Sequence, residues 1–143
     1  MSGPIVIIGG GVAGMSVAIG VHAAGSTTEM IIVGDENETT YDRTLLSKDY
    51  QLRGETAQFR LDPKRAINAK WVRGIRAESI DPKAKLVQLS NDQIISYGSL
   101  VIATGASPRR LPLLQESNVP VTVLRTLEDA RLIRARRCAG RVP

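Results

Sequence analysis

The stretch that most constrains this chain is Gly9-Gly10-Gly11-Val12-Ala13-Gly14, which follows Pro4-Ile5-Val6-Ile7-Ile8 without a spacer. The preceding run is short, apolar and β-branched, the composition of a buried strand. From Val12 to Ala24 the residues are apolar and include good helix formers, Ala13, Met15, Ala18, Ala23 and Ala24. Strand, glycine turn and helix therefore follow one another directly. That order sets the free N–H groups and positive end of a helix at the tip of a strand, where they favour a phosphate. The spacing Gly-x-Gly-x-x-Gly gives each glycine a task. Gly9 permits the tight turn, Gly11 lets the backbone approach a pyrophosphate, and Gly14 lets the helix pack close to the strand.

Ala24-Gly25-Ser26-Thr27-Thr28 ends the helical pattern, and Met30-Ile31-Ile32-Val33 is a second apolar strand. Strand, helix and strand in this order make a right-handed parallel βαβ unit. Gly34-Asp35-Glu36 closes the second strand, with Asp35 21 positions after Gly14. A carboxylate there can accept hydrogen bonds from an adenosine ribose, or it can serve as an ordinary turn residue after Gly34. Residues 37–60 are polar, and Thr44 to Tyr50 reads as a short helix capped by Asp42 or Thr44.

From Ala69 the texture changes to short strands, Lys70–Arg73, Ile75–Ile80, Lys85–Leu89 and Gln93–Tyr97, with turns at Asp81-Pro82 and Ser90-Asn91-Asp92. This predicts a small antiparallel insertion at about 70–98. Leu100-Val101-Ile102-Ala103 then returns to the parallel sheet and ends in Thr104-Gly105-Ala106-Ser107-Pro108, whose small residues allow close approach of something bulky. A Leu/Pro-rich loop at 109–120 and a strand at Val121–Leu124 follow. A final helix at about 126–138 opens on Thr126 with Asp129 three residues on, a capping-box pattern.

Aromatic residues make up only 3% of the 143, so the core has to be built from Ile, Val, Leu and Ala. The net charge of +5 is local: residues 109–143 hold eight arginines against three acids, while residues 1–108 balance. That basic segment is either a solvated helix face or a surface that steers an acidic partner. It lacks interleaved aromatics, so no nucleic-acid partner is expected. Cys138 is the sole cysteine and His22 the sole histidine. No disulfide framework, metal site or Ser-His-Asp set is therefore expected. With no signal-peptide pattern and no long apolar run, no membrane partner is expected and the expected location is cytoplasmic.

These patterns lead to a nucleotide-binding α/β domain, a Rossmann-like parallel sheet with a small antiparallel β insertion. They leave FAD and NAD(P) equally open, and any redox chemistry falls to a bound cofactor.

Several motifs in order carry a resemblance: Ile5 to Gly14, Gly34-Asp35-Glu36, Tyr41-Asp42-Arg43, Leu46-Ser47-Lys48, Ala103-Thr104-Gly105-Ala106 and Leu124 to Ala130. Together they resemble the FAD-dependent pyridine nucleotide oxidoreductases, nearest to the branch of ferredoxin, putidaredoxin and rubredoxin reductases. The resemblance implies an FAD-binding domain over residues 1–143, with NAD(P)H as electron donor and an acidic iron–sulfur protein as acceptor. It implies FAD pyrophosphate over Gly11, Ala13 and Gly14, with Gly9 also among the cofactor-binding residues, and the adenosine ribose on Asp35. Ala77 would contact the adenine side through its backbone, Thr104 and Gly105 would lie along the cofactor, and Arg125 would touch it. Lys48 would stand beside the flavin as the catalytic cation; read without the resemblance, it is a salt-bridging lysine on a short surface helix.

Two departures from the family pattern stand out. Thr44 and Leu45 replace a pair of prolines, which implies a less rigid segment around Lys48. The family also continues into a second Gly-x-Gly-x-x-Gly domain for NAD(P)H, which is not found within these 143 residues. The FAD domain is accordingly expected to be incomplete at its C-terminus, with the last helix a linker toward that absent domain. The rival expectations are a truncated, non-catalytic nucleotide-binding chain and an NAD(P)-binding domain without flavin.

Overall fold

The computed structural model describes residues 3–61, 67, 69–109, 112 and 121–140. They form two compact units, one from residues 1–41 and 60–105 and the other from residues 42–59 and 106–143.

The first unit is built on a four-stranded parallel sheet. Strand β1 (Ile5–Ile8) leads through helix α1 (Val12–Ala23) to β2 (Met30–Gly34). Next come β3 (Ala69–Arg73), β4 (Ala77–Asp81), β5 (Leu86–Leu89), β6 (Ile94–Ser96) and β7 (Ser99–Ile102). The parallel order is β3-β2-β1-β7, with Ile5 opposite both Met30 and Ser99. Strands β4, β5 and β6 form a separate antiparallel sheet.

The apolar runs of β1 and β2 are continuous because both faces of the parallel sheet are covered. Alternate residues point to opposite faces. Val6, Ile8, Ile31 and Val33 pack with Val87 and Leu89 of β5, so the antiparallel sheet covers that face. Ile7, Met30 and Ile32 pack with Ala18 of α1 on the other. The core is thus a parallel sheet between one helix and a small antiparallel sheet, with aliphatic side chains meeting on both faces.

The structure differs from the sequence reading in four places. Lys70–Arg73, expected in the antiparallel insertion, belongs to β3, which pairs parallel with β2 from Met30 opposite Ala69 to Gly34 opposite Arg73. The antiparallel sheet therefore begins at Ala77. The mixed composition of β3 suits an edge strand, with Trp71 and Val72 packing on opposite faces. Ile75 and Arg76 stay outside β4 because their N–H groups go to the Gly34 carbonyl and Ser90 Oγ instead.

In the second unit, the single helix expected from Thr44 is divided into a 3-10 turn (Arg43–Leu45) and helix α2 (Asp49–Arg53). Val121–Leu124 forms no strand, having no ladder partner among the described residues. Helix α3 runs from Leu127 to Cys138. The loop expected at 109–120 lies almost wholly outside the described residues.

Candidate nucleotide site

At the end of β1 the chain turns on Gly9, whose φ is +119°. A Cβ there would land on the backbone carbonyl of Ala103. The contact is fixed from both neighbouring strands, since Gly9 N–H donates to the Val33 carbonyl and Ala103 N–H to the Ile8 carbonyl, each at 2.7 Å. Gly14 is equally constrained. A Cβ on it would land on the Gly9 carbonyl oxygen and lie 3.2 Å from Ile7 Cγ2. Gly10 is flanked by Trp71, and its carbonyl accepts a 2.9 Å hydrogen bond from the hydroxyl of buried Thr40.

Gly11 differs from all of these. It is the N-cap of α1, at φ −79° and ψ −172°, and a Cβ on it would meet nothing within 4 Å. No side chain caps this helix and its first turn holds no acid. The first turn's N–H groups and the positive end of the helix dipole are therefore capped by no side chain and lie beside open space at Gly11. Ala13, next but one along the chain, is small and exposed.

The remaining candidates of this unit sit on strand ends and the start of β4. Asp35 is exposed just beyond β2, with Oδ2 3.8 Å from Arg76 Nη2. Thr104 and Gly105 follow β7 and are exposed, with Gly105 at φ +72°. Ala77 opens β4, half-buried, opposite Leu89. From β1 the chain goes to β2 on one side, whereas β7 joins on the other. Open α/β sheets form their ligand crevice at such a switch point, outside the carboxyl ends of the strands. Gly9 and the Ala103-Thr104 turn meet there.

Lys48 and Arg125 belong to the second unit. Lys48 is exposed at the N-cap of α2, where its N–H donates to the Leu45 carbonyl at 3.1 Å and its carbonyl accepts from Gln51 N–H at 3.1 Å. Among the described residues its ammonium has no ion-pair partner. The Arg125 backbone is held at both ends, its carbonyl accepting from Arg43 Nη1 at 2.7 Å and its N–H donating to Asp129 Oδ2 at 3.0 Å.

Three arginines of the basic segment have partners within this unit. Arg131 pairs with Glu55 at 2.9 Å, Arg134 Nη1 donates to the Gln51 and Leu52 carbonyls at 2.6 and 3.1 Å, and Arg136 donates to Thr122 Oγ1 at 2.8 Å. Arg134 thereby satisfies carbonyls at the end of α2 that the helix itself leaves free.

The capping box of α3 is formed, with Thr126 N–H donating to Asp129 Oδ2 at 2.7 Å and Asp129 N–H to Thr126 Oγ1 at 3.2 Å. Burial by itself would raise the Asp129 pKa. Hydrogen bonds from Thr126 and the Arg125 N–H, with the nearby Arg43 charge, outweigh it and hold the carboxyl below its ordinary 3.8. A depressed carboxylate stabilises the fold fully above its unfolded pKa, and that contribution disappears as pH falls through the folded value. Asp129→Asn is expected to cost about 1 kcal/mol at pH 7. Urea denaturation between pH 7 and pH 3 checks this, because the wild-type and Asp129→Asn midpoints should converge at the acid end.

Sequence reasoning missed Thr40, Trp71 and Arg76. Each acts through a tertiary contact that no local pattern shows. Among the described residues no three metal-ligating side chains cluster, and no helix is long and apolar enough to cross a membrane.

Comparison with known proteins is consistent with this geometry. A family model described as pyridine nucleotide-disulphide oxidoreductase matches residues 3–142. The ferredoxin--NAD(+) reductase component of the p-cumate 2,3-dioxygenase system of Pseudomonas putida is 37% identical over 141 residues, covering 96% of this chain and 35% of that protein. Among solved structures, the covalent putidaredoxin reductase–putidaredoxin complex superposes with a TM-score of 0.80 at 32% identity, over 94% of this chain and 34% of that one. The ferredoxin reductase for the CYP199A2 system from Rhodopseudomonas palustris gives 0.82 at 29% identity, over 95% and 34%. The chain thus spans about a third of the length of these relatives.

Proposed function

This chain belongs to the pyridine nucleotide-disulphide oxidoreductase family, and from that premise we propose that it is the FAD-binding portion of an NAD(P)H-dependent ferredoxin-type reductase. The observation that carries this reading is the open space at Gly11. A side chain is excluded at Gly9 and Gly14, yet at Gly11 the space is open beside a helix N-terminus that no side chain caps. A pyrophosphate fits that donor set.

Gly9 and Gly14 shape the turn, and Gly11 and Ala13 keep its mouth free of bulk. Asp35 accepts from the ribose hydroxyls, and Ala77 bounds the adenine end. Thr104 and Gly105 leave room along the cofactor, and Arg125 contributes a cation. FAD would supply two-electron acceptance from NAD(P)H and single-electron release to an acidic iron–sulfur protein. Lys48, with no ion-pair partner of its own among the described residues, is assigned to offset negative charge beside the ring. The helix at Leu127–Cys138 is read as the start of a linker toward a nicotinamide domain, and the location as cytoplasmic.

Parallel titrations of the purified chain with FAD and NADH test the reading. FAD is expected to bind the more tightly, although the chain leaves purification with little absorbance near 450 nm (roughly, the flavin band). No NADH-dependent dye reduction is expected from the chain alone, because the sequence holds one Gly-x-Gly-x-x-Gly and not two. Tighter binding of NADH would favour a flavin-free NAD(P) domain. Sustained NADH turnover would contradict the assignment of the donor site to a further domain.

A further inference from the structure

The segment Gly74-Ile75-Arg76 joins β3 to β4, but its backbone is anchored more heavily than a connection requires. Gly74 N–H donates to the Glu36 carbonyl and Ile75 N–H to the Gly34 carbonyl, both at 3.2 Å, so the segment is tied to the end of β2 on either side of Asp35. Gly74 takes φ +67° to make this possible. Ser90 then fixes Arg76 from the opposite direction: its Oγ accepts the Arg76 N–H at 3.1 Å, and its N–H donates to the Arg76 carbonyl at 2.8 Å.

These ties set the Arg76 backbone beside the end of β2, and its guanidinium lies 3.8 Å from the Asp35 carboxylate. The two side chains are 72% and 60% exposed, and an ion pair this long and this open adds little to stability. Among the described residues Asp35 is the ion-pair partner of Arg76, so the side chain contributes little to the fold. What the contact does change is the freedom of Asp35. An exposed carboxylate on its own samples several rotamers, and ordering it upon binding costs entropy. A guanidinium nitrogen 3.8 Å from Oδ2, beyond hydrogen-bond distance, can bias that choice by charge while leaving Oδ1 open to a ligand.

We propose that Arg76 is a positioning residue for the adenosine ribose, its charge drawing one oxygen of the Asp35 carboxylate toward it so that the other is presented to the ribose hydroxyls. This rests on the reading of Asp35 as the ribose acceptor. It predicts that recognition of the 2′-hydroxyl depends on Arg76, although Arg76 itself need not touch the sugar.

Calorimetric titration of the full chain with ADP and 2′-deoxy-ADP tests it, using wild type, Arg76→Ala, Arg76→Lys and Asp35→Asn. Wild type is expected to prefer ADP by about tenfold, the worth of one charge-assisted hydrogen bond. Asp35→Asn should bring that preference below about threefold and Arg76→Ala should lower it by about twofold or more, with Arg76→Lys nearer wild type because lysine keeps the charge. Melting temperatures of all four should agree, so a merely structural role would not produce this pattern. If Arg76→Ala keeps the full preference while Asp35→Asn loses it, the positioning role is overturned and the ribose reading of Asp35 stands. If wild type shows no preference, or Asp35→Asn keeps it, the ribose reading fails and the positioning role fails with it.

Discussion

Gly9→Ala should be the most damaging single-methyl change in the chain, lowering stability by about 3–5 kcal/mol. Two independent costs add. At φ +119° an L side chain is strained wherever it points. The added methyl also falls on the Ala103 carbonyl, a backbone group held in place by the Ala103 N–H bond to Ile8. No rotamer can relieve a collision with backbone, so β1 and β7 must separate where their ladder ends. For a domain of this size the melting temperature should fall by about 10 °C or more. Circular dichroism melts of wild type and Gly9→Ala check this directly, and equal melting temperatures would show that the turn is not built as described.

The second large effect comes from comparing the same substitution at two positions three residues apart. Gly14→Ala should cost about 3 kcal/mol even though alanine is the better helix former, because its Cβ lands on the Gly9 carbonyl oxygen. Gly11→Ala should change stability by no more than about 1 kcal/mol, since its backbone is in the extended region open to any residue and its Cβ meets nothing within 4 Å. Two glycines of one fingerprint thus have different reasons to be glycine. Gly14 is required by the packing of the fold itself, whereas no contact among the described residues requires glycine at position 11. Parallel urea denaturation curves should separate the two, and equal losses would remove the distinction.

Much of the first unit was legible because its signals are local. An apolar β-branched run, three spaced glycines and a helix-forming stretch specify β1, the turn and α1 without reference to distant residues. The hairpin of β5 and β6 was legible in the same way, from alternation around Ser90-Asn91-Asp92. Where pairing decides, local pattern was not enough. Lys70–Arg73 reads as a short strand, but only its partner β2 reveals that it belongs to the parallel sheet. Val121–Leu124 has strand composition without a ladder partner among the described strands. Of the residues proposed to serve the cofactor, Gly9, Gly11, Gly14 and Asp35 were visible from spacing, whereas Lys48, Ala77, Thr104, Gly105 and Arg125 entered through family resemblance. Thr40 on the glycine turn and Arg76 beside Asp35 are set by contacts between residues far apart in sequence, and no pattern within a window shows them.

The central claim is that the space at Gly11 is where the pyrophosphate of FAD rests. Its most direct test is a titration of FAD against wild type and Gly11→Ala, followed by flavin fluorescence at a temperature where both are folded. Wild type should saturate by about 1 mM, and Gly11→Ala should bind at least about tenfold more weakly at an unchanged melting temperature. Equal binding by the two proteins, or no saturable binding by wild type, would contradict it.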